Sequence, residues 1–115
     1  MSHQLLHNPR CSKSRQAKAL LEEAGVAFEL VEYLKQPLTK NELRQLCDKL
    51  GLAPLQMVRK GEDAFTQHGL GQADVTDEQV LEAIATDPIL LERPVFVTAD
   101  RAVIGRPPEK VKELL

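Results

Sequence analysis

The chain has 115 residues, 43% apolar and 28% charged, a balance that suits one ordinary folded domain with its own core. A formal net charge of −2 gives no general attraction to nucleic acid or to an anionic membrane surface, so neither is expected as a partner. Two cysteines exclude a disulfide scaffold, and with no secretory signal or spanning apolar run in view the expected compartment is a reduced cytoplasm.

Gln4-Leu5-Leu6 reads as a brief first strand. Ser12 to Ala24 reads as a helix, with Ala17, Leu20, Leu21 and Ala24 on one face and Gly25 as its stop. Ala27 to Leu34 reads as a second strand, broken by Gln36-Pro37. Thr39 and Glu42 form a capping box that opens a helix closed by Gly51, and Ala53 to Val58 reads as a short helical turn. Arg59–Glu62 and Gly69–Asp74 read as loops. Thr76 and Gln79 make a second capping box, and Asp87-Pro88 ends the helix it opens, with Ile89-Leu90-Leu91 packing nearby. Pro94 to Thr98 and Ala102 to Ile104 read as a hairpin around Asp100-Arg101, and Pro107 suits the first position of a last helix. The first βαβ unit should be parallel with a right-handed crossover. The order β-α-β, helical block, β-β-α is that of a thioredoxin-like α/β fold with an inserted helical subdomain at about 38–91, within one domain spanning 1–115.

The chemistry concentrates at Cys11, in the run His7-Asn8-Pro9-Arg10-Cys11-Ser12-Lys13-Ser14-Arg15. A thiol where a strand gives way to a helix meets unpaired backbone N–H groups and the positive end of the helix dipole. Both favour thiolate over thiol, as do Arg10, Lys13 and Arg15, and the same groups would hold a small oxyanion. Most free cysteines are buried apolar filler. Here polar and charged neighbours on both sides favour function. His7 either ends the strand or stabilises the thiolate and orients the loop. Asn8 and Ser14 either shape the loop through side chain–backbone bonds or support the thiolate.

Arg59, Arg93 and Arg106 each stand at an element boundary, and arginine suits multi-donor recognition of tetrahedral oxyanions. In a sheet of this topology the Arg93-Pro94 loop should lie beside the first helix N-terminus. Cys47, between Leu46 and Leu50 on an apolar stripe, reads as a core residue, and His3 and His68 carry no assigned function. If Cys11 acts alone, an outside thiol must resolve it, most simply glutathione followed by glutaredoxin. A tyrosine-phosphatase loop needs five residues between Cys and Arg, whereas three separate Cys11 from Arg15. A dithiol motif would need a cysteine where Ser14 stands, and no Cys/His cluster has zinc spacing, so no metal is expected.

These residues together resemble the glutaredoxin-coupled arsenate reductase family, in its short, chromosomally typical branch. The matching stretches are His7 to Cys11 with Ser14-Arg15, Leu55 to Lys60, Leu90 to Val97, and Ile104 to Pro107. The resemblance implies a thioredoxin-like fold in which Pro94 is the cis-proline. It implies a Cys11 thiolate that attacks arsenate, with Arg59, Arg93 and Arg106 binding the oxyanion. Glutathione would be the co-substrate, glutaredoxin the protein partner, and no cofactor would be bound. Ser12-Lys13 depart from the Gly-Thr that many members carry after the cysteine. Two other readings remain: a related monothiol oxidoreductase with another substrate, and a non-enzymatic regulator that binds RNA polymerase. Ser14 removes the two-cysteine switch of the regulators and so argues against the second.

Overall fold

In a computed structural model, which describes residues 3–115, four short strands build one mixed sheet in the order β2-β1-β3-β4. The strands are β1 Gln4–Leu6, β2 Glu29–Val31, β3 Val95–Val97 and β4 Ala102–Ile104. The helices are α1 Ser12–Glu23, α2 Lys40–Leu50, α3 Asp63–Gln67 and α4 Asp77–Thr86, with 3-10 turns at Pro54–Met57, Pro88–Leu90 and Pro108–Leu114. The chain divides into two compact units. One comprises the chain up to Gln36 together with Arg93–Leu115, and the other is Pro37–Glu92.

In the first unit β1 pairs with β2 in parallel, Leu6 facing Val31, as a βαβ crossover requires. β3 pairs antiparallel with both β1 and β4, so Leu6, Val95 and Ile104 share one row. β2 is shorter than Ala27 to Leu34 because only three residues of β1 are available to pair with it. Ser14, Ala17 and Leu21 are the buried stripe of α1. Ala17 and Leu21 pack with Leu5, Phe96 and Val111 into a core flanked by Leu20, Phe28 and Val103. Gly105 is small of necessity: a Cβ there would come within 2.9 Å of Pro94 Cγ and 3.1 Å of Val111 Cγ1.

The last helical segment differs from expectation. Pro107 sits at the N-cap with φ −67° and ψ 163°, and Pro108 takes the first helical position. A residue that precedes proline is driven out of the α region, so Pro107 could not open the helix itself.

In the second unit both expected capping boxes are present. The Thr39 hydroxyl accepts from Glu42 N–H and the Glu42 carboxylate accepts from Thr39 N–H, at 3.1 and 2.9 Å. Thr76 and Gln79 repeat the arrangement on α4. Gly51 ends α2 in the left-handed region at φ 69°, where a side chain would be strained. Leu43, Leu46, Met57, Leu81, Ile84 and Leu90 are among its buried residues. Cys47 lies with them, its thiol 3.6 Å from Met57 Sδ. No helix among the described residues is long and apolar enough to cross a membrane.

Candidate active site

The end of the sheet where β1 finishes collects most of the singled-out residues. His7 extends β1 by donating its N–H to Val31 O at 2.8 Å, and the chain then turns through Asn8-Pro9-Arg10 to Cys11, the N-cap of α1. The turn is braced at each step. The Asn8 side-chain oxygen accepts from Arg10 N–H at 3.0 Å, and Cys11 N–H donates to Asn8 O at 3.0 Å. Arg15 Nη1 donates to Pro9 O at 2.8 Å, which lays its guanidinium along the loop.

Cys11 is half-buried, with extended backbone at φ −94° and ψ 122°. Its carbonyl accepts the first helical bond from Arg15 N–H, while its side chain makes no capping bond. No acidic residue occupies the first turn of α1 to neutralise the positive end of that helix.

Ser14 is the keystone of the loop. It falls on the buried stripe of α1 and has no exposed surface. Its hydroxyl oxygen accepts from Asn8 N–H at 3.0 Å and lies 2.7 Å from His7 Nδ1. Burial lowers the His7 pKa and the Lys18 charge adds to this, while Glu32 pulls the other way more strongly than Arg15 reinforces the shift. The polar contacts of His7, Asn8 and Ser14 run to one another and to the loop backbone.

Arg93 and Arg106, the oxyanion-binding candidates of this unit, arrive from the neighbouring strands. Arg93 precedes β3 through a cis Arg93–Pro94 peptide, and Arg106 follows β4 through Gly105. The pairings end at Leu6, Val95 and Ile104, so Arg93 and Arg106 both lie two residues beyond the end of the sheet where β1 finishes. Gly105 N–H donates to Pro94 O at 2.8 Å and Arg106 Nη1 donates to Arg93 O at 2.9 Å, which ties the two strand ends together. Arg93 Nε and Nη1 are buried and meet no acceptor among the described residues. Charged N–H groups held away from water without a partner are costly, and an anion would complete them. A second cis bond, Arg106–Pro107, has no counterpart in the sequence expectations.

Arg59 belongs to the helical unit, where two carboxylates hold it. Nη1 lies 2.5 Å from Glu62 Oε2, and Nε lies 3.6 Å from Glu92 Oε1. Neither glutamate was singled out from sequence. The three-residue spacing of Arg59 and Glu62 was the available signal for the first. Glu92 reaches Arg59 only through chain pairing that sequence does not display.

A mixed sheet with a parallel βαβ start, a cis-proline before β3 and a cysteine at the first helix N-terminus defines a thioredoxin-like α/β protein with a thiol site. The ArsC family model matches residues 6–114, and the chain belongs to that family. It is 44% identical over 112 residues to an arsenate reductase of Neisseria meningitidis serogroup A, covering 96% of each protein. It is 39% identical over 116 residues to an arsenate reductase of Haemophilus influenzae, covering all of both. Among solved structures, an arsenate reductase from Vibrio cholerae superposes with a TM-score of 0.96 at 40% identity, over 100% of this chain and 98% of that one.

Proposed function

We propose that the chain works as a single arsenate reductase-like domain in the cytoplasm, reducing arsenate to arsenite with glutathione and glutaredoxin through Cys11 alone. The observation that carries this reading is the pair of buried, unpartnered N–H groups of Arg93 at the sheet end that also presents Cys11. The relatives named arsenate reductase over essentially their full length support the choice of oxyanion.

In this scheme Arg93 and Arg106 bind the arsenate oxygens and stabilise charge that builds on them, and the family resemblance gives Arg59 an oxyanion-binding role as well. The Cys11 thiolate attacks arsenic, an S–As bond forms, and one arsenate oxygen leaves as water after taking up protons. Glutathione thiolate then attacks the Cys11 sulfur. The S–As electron pair stays on arsenic, which departs as As(III) arsenite, and Cys11 is left in a mixed disulfide with glutathione. Glutaredoxin attacks the glutathione sulfur, takes up the glutathionyl group and returns Cys11 to thiolate. His7, Asn8, Ser14 and Arg15 hold the loop shape that presents the sulfur, and Pro94 sets the start of β3. Glutathione is a co-substrate, and no resident cofactor or metal takes part.

NADPH oxidation coupled through glutathione reductase and glutaredoxin tests the scheme. The expected rate depends on arsenate, glutathione and glutaredoxin together and vanishes in Cys11→Ser, because a hydroxyl is a poor nucleophile at neutral pH. Arg93→Lys, which keeps the charge but loses the planar donor set, should lower kcat/KM by at least about ten-fold. An arsenate-dependent rate no greater than that of Cys11→Ser would rule the activity out.

A further inference from the structure

We propose that Glu62 is an internal substitute for the substrate, a carboxylate that occupies the Arg59 guanidinium until a tetrahedral oxyanion displaces it, and that Glu92 holds the guanidinium in place throughout. This rests on the reading that Arg59 binds the oxyanion.

The arrangement is built by the backbone rather than by loose side chains. Val58 and Leu91 form an antiparallel bridge, flanked by Arg59 N–H donating to Leu90 O at 2.7 Å and Glu92 N–H donating to Met57 O at 2.9 Å. In such a ladder Arg59 and Glu92 project from the face opposite to Val58 and Leu91, as diagonal neighbours. That placement sets Glu92 Oε1 3.6 Å from Arg59 Nε, a separation suited to charge attraction rather than to a hydrogen bond. The following turn is closed by Glu62 N–H to Arg59 O at 3.4 Å and brings Glu62 Oε2 to 2.5 Å from Nη1. The three side chains are 24%, 28% and 29% exposed, so solvent screens the pairs only in part.

Glu62 meets Arg59 at Nη1, and Glu92 faces it at Nε. The end-on fork of a guanidinium consists of Nη1 and Nη2. Glu62 occupies one prong of that fork, and Glu92 acts from the Nε side. Removal of Glu62 therefore opens that prong to an oxyanion oxygen. Glu62 thus sets how strongly an oxyanion must compete for the site.

The experiment is calorimetric titration of arsenate into protein carrying Cys11→Ser, which separates binding from chemistry, with KM and kcat measured in the Cys11 background. Glu62→Gln should tighten arsenate binding and lower KM by about five-fold, with kcat moving less than KM. Glu62→Asp should restore values near the parent, and Glu92→Gln should weaken binding. Adding Glu62→Gln to Arg59→Ala should give no tightening. Unchanged or weaker arsenate binding in Glu62→Gln overturns the proposal. Arg59→Ala separates the two readings: if it leaves binding intact, the role of Arg59 itself fails. If it weakens binding while Glu62→Gln does nothing, only the substitute role of Glu62 fails.

Discussion

Ser14→Ala removes one oxygen, and the structure fixes what that loss leaves behind. The hydroxyl is wholly buried, 3.0 Å from Asn8 N and 2.7 Å from His7 Nδ1, and both partners are buried as well. Alanine keeps the helix propensity of α1 and fits the space, so packing and secondary structure contribute little. The loss instead strands a backbone donor and a ring nitrogen, each at a cost of about 1–3 kcal/mol, partly recovered by water that reaches the loop. A net loss of about 3 kcal/mol over about 2.1 cal/mol/K per residue of unfolding entropy lowers Tm by roughly 12 °C for a chain of this length. Thermal unfolding followed by circular dichroism measures it, with the exposed Ser12→Ala as a control expected to leave Tm unchanged. A Ser14→Ala protein melting within about 2 °C of the parent would refute the assignment of Ser14 as the brace of the cysteine loop, since the two lost bonds would then be worth almost nothing.

His7 gives a pH signature. Its folded pKa is lowered, chiefly by burial, so the unfolded chain binds the proton more readily. The stability it contributes is complete above the ordinary imidazole value of about 6.5 and is lost as pH falls below that value toward the folded pKa. Urea midpoints should decline between pH 7 and 5.5, and His7→Asn should flatten that slope; an unchanged slope in His7→Asn would contradict the assignment. Cys47→Ala should cost about 1 kcal/mol of stability and leave turnover intact, because the thiol is buried beside Met57 and burial pushes its pKa up. Loss of activity in a folded Cys47→Ala protein would mean that a second thiol takes part.

The parts of the fold legible in sequence were those with local physical causes. The capping boxes at Thr39 and Thr76 and the glycine stop at Gly51 act within a few residues, and all three stand where expected. Helix α3 carried no such signal: Asp63–Gln67 is five residues long, with no side-chain cap. Strand limits were read too long at Ala27 to Leu34 because length is set by the partner strand, a non-local property. Pro107 was misplaced although the cause was local, since Pro108 beside it forbids the α conformation. At the site, the loop from His7 to Arg15 was readable because its residues are contiguous. The pairing of Asn8 and His7 through Ser14 follows from the buried stripe of α1, on which a serine needs partners. The stranded N–H groups of Arg93 and the Glu92 carboxylate beside Arg59 depend on chain crossings that spacing does not encode.

The central claim is that Cys11 and Arg93 serve one oxyanion. Alkylation of Cys11 by iodoacetamide, followed by peptide mass spectrometry with and without arsenate or phosphate, tests it most directly. Saturating oxyanion should slow Cys11 modification by at least about five-fold, and Arg93→Ala should abolish the protection while Cys47 stays unmodified in both proteins. Modification of Cys11 at the same rate at every oxyanion concentration, or equal protection in Arg93→Ala, would contradict the account.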